Sequence, residues 1–245
     1  MFDDLRACPD APTPAPAGPP APARADRPDV PAHGLHPDGS LARDLGGYQA
    51  VLAIEDPVTV RLTFTGADGR PLRTVPGALK EPYAAEIKEL KTLVKRVRHT
   101  LAAERARVEA LLPVEHGRPY GEWRRHYRDH PVTGLVAQSL IWEFEAPDGS
   151  RRAATPGDGV LVTVDGLALP VPPDGARVRL WHPAGARPGE VRAWRRFVMV
   201  NRMRQAFKQA FREVYAPGRG EAGEWPAGRA VQHRRLLAAL AEHGW

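Results

Sequence analysis

Residues Gln205 to Tyr215 read Q-A-F-K-Q-A-F-R-E-V-Y, the densest run of large apolar, amide and basic side chains in the chain. As a helix, Phe207, Phe211, Val214 and Tyr215 fall on one face at i, i+4, i+7 and i+8. Gln205, Gln209 and Arg212 then form a polar stripe beside it. As a strand, Gln205, Phe207, Gln209, Phe211 and Tyr215 share a face, and amides alternate with aromatics in a way that suits no core. The pattern therefore predicts a helix. Its plain explanation is a helix that buries its aromatic face and leaves the polar stripe in solvent.

Immediately upstream, the chain is basic. Residues 187–215 carry eight Arg or Lys (Arg187, Arg192, Arg195, Arg196, Arg202, Arg204, Lys208 and Arg212) against Glu190 and Glu213. That excess of six equals the net charge of the whole 245-residue chain, whose pI is about 9.8. A segment so charged is a candidate surface for a polyanion. The bland alternative is that a composition preferring Arg over Lys uses these residues to solubilise a helix.

Further upstream, alternation organises the chain. Val58, Val60, Leu62 and Phe64 alternate with Thr59, Arg61 and Thr63, a half-buried strand. Ala67–Arg70 carries the Asp-Gly pair of a hairpin turn, and Leu72–Val75 returns as a short strand. Residues 34–47 are turn-rich and lead into a strand over Tyr48–Ile54. Residues 84–112 form the clearest helix. Ile87, Leu90, Val94, Val97, Leu101, Val108 and Leu111 keep a heptad-like spacing, bracketed by Pro82 and Pro113. Lys88, Lys91, Lys95 and Arg98 line a neighbouring face, diluted by Glu86, Glu89, Glu104 and Glu109. Beyond it come a short helix over Tyr120–His130, a helix from Val132 to Leu140 and strands at 141–144, 161–164 and 178–181. A helix opens at Pro188, and a last one is expected over Arg229–His243 after a Gly/Pro/Glu loop at 216–228. The fold class is α+β: short antiparallel strands and hairpins packed with a long amphipathic helix and C-terminal helices. Residues 1–33 are a Pro/Ala tract with little to bury, expected to be disordered or polyproline-like, and 34–245 form the domain.

Several chemistries have no motif here. The single cysteine, Cys8, excludes a disulfide framework within the chain and thiolate metal sites. No P-loop, dinucleotide fingerprint or nucleophile elbow is present. His126 and His130 stand at i, i+4, but no Glu lies between them in the metalloprotease manner, and Pro131 ends the helix. No metal and no cofactor is expected. The start is acidic with no apolar signal core, and no run approaches a membrane span, so a cytoplasmic protein without membrane attachment is expected.

The ordered set of landmarks resembles a known family. It comprises the hairpin at 58–75, the helix ending near Leu112, Trp123…His130-Pro131, Leu140-Ile141-Trp142, His182-Pro183, Q-x-F-K-Q-x-F-R-E-V-Y and Q-H-x-x-x-L…H-G-W at 232–245. Together these are similar to the bacterial DUF4132 family, the MolR/YehI-like proteins, some of which carry a WGR domain. The resemblance covers about Gly34 to Trp245. It implies a regulatory context near MoxR-type AAA ATPases, with helical regions upstream in longer members. This chain would then be a truncated or short member, incomplete at both ends. The resemblance transfers no catalytic residue.

Three functions compete as expectations. The first is a non-catalytic interaction or scaffold domain, docking on the remainder of a larger parent chain or on an AAA ATPase-type partner, which predicts exposed apolar surface. The second is nucleic-acid binding through Arg192, Arg195, Arg196, Arg202, Arg204, Lys208 and Arg212, helped by Lys88, Lys91 and Lys95. The third is an enzyme whose polar pocket is built from Gln205, Gln209, Arg212 and Tyr215, able to hold a carboxylate or phosphate.

Overall fold

The computed structural model describes residues 29–212 except 67, 73, 114, 115 and 158. Cys8, Tyr215, the 216–228 loop, the 229–243 helix and most of the Pro/Ala tract lie outside the described residues. The chain divides after Pro31, and the sheets and helices belong to the unit from Ala32 onward.

Two antiparallel sheets carry the architecture. The first is a meander in the order β1-β2-β3-β4, formed by β1 (Ser40–Leu45), β2 (Tyr48–Asp56), β3 (Thr59–Thr65) and β4 (Pro71–Leu72). Alternation decides its faces: Ala50, Leu52 and Ile54 of β2 and Val60 and Phe64 of β3 are buried. β1 lies in the stretch expected to be turns. It pairs with β2 from Ser40 opposite Ala53 to Leu45 opposite Tyr48. Gly46 and Gly47, with φ of 61° and 84°, supply the two left-handed positions of the hairpin.

Helix α1 (Ala84–Glu109) follows a 3-10 turn at Gly77–Leu79 and packs on β3. The expected heptad residues Ile87, Leu90, Val94, Val97, Leu101 and Val108 are buried. Next come β5 (Arg118–Pro119) and a short helix, α2 (Tyr120–Trp123), which widens into a π turn over Arg124–Arg128. Helix α3 (Thr133–Gln138) packs against α1.

The second sheet has the order β5-β10-β6-β7-β8-β9. Its further strands are β6 (Trp142–Glu145), β7 (Arg151–Pro156), β8 (Leu161–Thr163), β9 (Ala168–Leu169) and β10 (Arg177–Leu180). Strand β7, R-R-A-A-T-P, has no large apolar residue to announce it, yet Ala154, Thr155 and Pro156 are buried. Among the described residues helix α4 (Pro188–Val200) comes last, with Pro188 in its first turn.

One core cluster joins the elements: Leu52, Ile54 and Val60 from the first sheet, Leu93, Val94, Val97, Leu101 and Val108 from α1 with Leu112 just beyond it, and Trp142, Phe144, Val178 and Leu180 from the second sheet. Trp123 meets Trp142 edge-on at 5.4 Å and Phe144 at 5.3 Å. A second cluster seats Leu79, Ile87 and Leu90 on Phe64 and Leu45. A third packs Trp194 and Val198 of α4 against Trp181 and Ile141.

The predicted helix at 205–215 is not formed over its described part. Residues 201–212 run as turns and bends. A helix would consume this backbone internally, but here tertiary partners take it. The Ala206 amide donates to Ser139 Oγ at 3.1 Å, and Arg105 donates twice to the Ala206 carbonyl, at 3.0 and 2.8 Å. The Ala210 amide donates to Gln205 Oε1 at 3.1 Å, and Arg195 donates to the Ala210 carbonyl at 2.9 Å. The two phenylalanines consequently part: Phe207 packs on the main core, while Phe211 is exposed.

Candidate binding surface

The 203–212 segment is a strap, and Gln209 is its fastening. Its side chain is 0% exposed. Oε1 accepts from the Ile141 amide at 2.8 Å, while Nε2 donates to the carbonyls of Ile141 at 2.7 Å and Trp181 at 2.9 Å. Ile141 and Trp181 sit where β6 begins and β10 ends, and the Trp181 amide also donates to the Ile141 carbonyl. The primary amide thus extends the ladder as one further peptide group would, satisfying donors and acceptors that burial would otherwise penalise.

The other residues proposed from the sequence divide into two groups. Gln205, half-buried, supports the strap, with Nε2 3.4 Å from Gln209 Oε1. Arg195 donates inward to the strap and lies 5.8 Å from the Phe211 ring. Arg204 pairs with Asp56 at 2.6 Å, and Arg212 with Glu109 at 2.8 Å. Burial alone would raise the Asp56 carboxyl, but the Val58 amide, the Thr59 hydroxyl and Arg204 together hold it below its usual range. Arg192, Arg196 and Lys208 face solvent and make no ion pair among the described residues. On α4 the first two lead, at helical spacing, to Met199 and Val200, which are 62% and 70% exposed.

In the sequence Glu104 counts only as a diluting charge. In the fold it is 4% exposed and occupies the core-facing gap between Leu101 and Val108. Arg107 grips it through Nε at 2.8 Å and a terminal nitrogen at 2.6 Å, and the Thr133 hydroxyl donates at 2.7 Å. Arg107 also donates to the Tyr127 hydroxyl at 2.8 Å, and Arg118 donates to the same oxygen. Both guanidiniums lie over the Tyr127 ring, at 4.9 and 4.5 Å. Burial pushes the Glu104 carboxyl up, but Arg107 and Thr133 outweigh it and hold it below the usual carboxylate range. The missing member of the heptad, with an arginine three residues on, was the readable signal. This network braces α1 to α3. His130 belongs to the same brace: its Nδ1 accepts from the amides of Val132 and Thr133. Among the described residues no group of three or more His, Cys, Asp or Glu is placed to hold a metal, and no helix is long and apolar enough to cross a membrane.

The comparisons with known proteins agree with the landmarks. Residues 69–245 match the family described as Domain of unknown function (DUF4132). The chain belongs to this family. No curated protein and no solved structure matches it. The DUF4132 match begins at the β3–β4 turn and takes in α1, the second sheet, α4 and the strap.

Proposed function

We propose that this DUF4132 chain is a non-catalytic interaction domain of a MolR/YehI-like bacterial regulatory system, and that the outer face of α4 docks an acidic, apolar-anchored segment of a partner protein. The observation that carries this reading is the pairing of two exposed cations without acidic partners among the described residues, Arg192 and Arg196, with exposed Met199 and Val200 on the last turns of one helix. Exposed apolar side chains rimmed by charge are the ordinary anatomy of a docking patch. The partner is the remainder of a longer parent chain or an AAA ATPase-type protein.

The geometry supports this reading over the other two. A nucleic-acid surface along 187–212 would lose Arg195, Arg204 and Arg212, which point at the strap, Asp56 and Glu109. A pocket of Gln205, Gln209 and Arg212 would need Gln209 to leave three internal hydrogen bonds.

Selection of displayed random peptides against the full chain tests the proposal. Enrichment of acidic sequences with large apolar residues, abolished by Arg192→Glu/Arg196→Glu, is expected. Absence of enrichment, or enrichment that the double reversal leaves intact, contradicts it.

A further inference from the structure

The chain holds thirty arginines but only five lysines. Four of the five, Lys80, Lys88, Lys91 and Lys95, line a single groove of about 520 Å³ together with Val75, Ala84, Ile87 and Thr92. Local structure brings them together. The 3-10 turn at Gly77–Leu79 is pinned by Leu79, which is buried with Ile87 and Leu90. Lys80 caps that turn and so stands against the first turns of α1. Lys88, Lys91 and Lys95 project from α1 at i, i+3 and i+7, spanning about 10 Å of helix.

None of the four makes an ion pair among the described residues. Glu89, on the same helix, pairs instead with Arg43 at 3.3 Å. Arg98, which shared their stripe in the sequence, donates to the Val60 carbonyl at 2.9 Å. Elsewhere on the described chain many cations are matched, as Arg61 is by Glu55 and Arg179 by Glu143. Here four positive charges converge on a concavity with no acidic side chain among the described residues that line it, an arrangement that raises the local concentration of anions.

We propose that this groove binds an oligophosphate, a ligand carrying two or more linked phosphate groups. Lysine suits such a ligand because its ammonium is a compact point charge with three rotatable donors, able to follow a phosphate chain. The volume matches a compact ligand. Among the described residues no aromatic side chain lines the groove, so they offer no platform for the nucleobase stacking on which single-strand readers rely. The site is separate from the face of α4 and does not depend on the function proposed for it.

Isothermal titration of inorganic tripolyphosphate into the full chain at low salt tests the site, with inorganic monophosphate, ATP and an unlabelled single-stranded oligonucleotide in parallel. Tripolyphosphate should bind at least about tenfold more tightly than monophosphate. Lys88→Gln/Lys91→Gln/Lys95→Gln should weaken it by at least about tenfold. Removing three exposed cations elsewhere (Arg70→Gln, Arg125→Gln, Arg152→Gln) should leave it unchanged. The lysines are exposed, so the triple variant should keep its circular dichroism and melting temperature, and altered melting is the signal to use Lys91→Gln alone. ATP binding as tightly as tripolyphosphate places the affinity in the phosphate chain, and a nucleoside polyphosphate is then an admissible source. Absence of tripolyphosphate binding, equal loss in both triple variants, or an oligonucleotide that outbinds tripolyphosphate through the same lysines overturns the proposal.

Discussion

Replacing Gln209 by Met keeps the length of the side chain and removes every polar contact it makes. Two buried groups then lose their partner: the Ile141 amide and the Trp181 carbonyl. The Ile141 carbonyl keeps the Trp181 amide at 3.1 Å. Each orphaned buried group costs about 1–3 kcal/mol, partly offset by the apolar burial of the thioether, so a loss of about 3 kcal/mol is expected. For a domain of this size that corresponds to a fall of about 6–12 °C in Tm. Differential scanning calorimetry of the full chain measures it. Gln209→Glu sharpens the test. A carboxylate can accept from the Ile141 amide but has no proton for the two carbonyls. It should be worse than Met at neutral pH and recover partly as the acid protonates. A change in Tm below about 2 °C for Gln209→Met would mean that the strap does not depend on its fastening.

Calorimetry and urea unfolding of the full chain check three further expectations. Arg204→Ala breaks an ion pair whose arginine is well exposed, and should cost at most about 1 kcal/mol, far less than Gln209→Met. The folded-state Glu104 carboxyl lies below its unfolded value near 4.5, so its contribution is fully present above that value and is lost as pH falls through the folded one. Glu104→Gln should therefore lower urea resistance at neutral pH and flatten its decline on acidification, and an unchanged acid profile would contradict the assigned role. Gly46→Ala places a left-handed alanine whose Cβ would lie 2.5 Å from the Tyr83 hydroxyl, whereas Gly47 has open space at that position. Gly46→Ala should cost more than Gly47→Ala, by about 1 kcal/mol or more, and Tyr83→Phe should restore part of the difference.

What could be read from the sequence was what depends on local period. The alternation at 59–65, the Asp-Gly turn at Gly69 and the heptad of α1 announce themselves because each residue's face follows from its own neighbours. The α+β class follows from these. Strand β7 was hidden because its buried residues are Ala, Thr and Pro, which become apolar only by what covers them. The 205–212 stretch misled for a different reason. Its helical spacing is real, but Arg105, Ser139 and Arg195 compete for its backbone from more than ten residues away, and no local pattern encodes those partners. The amide that looked like a binding group turned inward for the same reason. The lysine groove was half legible: the stripe on α1 stood in the sequence, whereas Lys80 joins it only through the turn anchored by Leu79.

Fluorescence anisotropy distinguishes a protein-docking role for the outer face of α4 from a nucleic-acid one. Labelled single- and double-stranded DNA and RNA are titrated with the full chain at several salt concentrations, for wild type and Arg192→Ala/Arg196→Ala. If α4 serves a protein partner, the double variant leaves any weak, salt-sensitive binding unchanged. Tight binding with a steep salt slope that the double variant abolishes would contradict it and make the basic segment a phosphate-backbone surface.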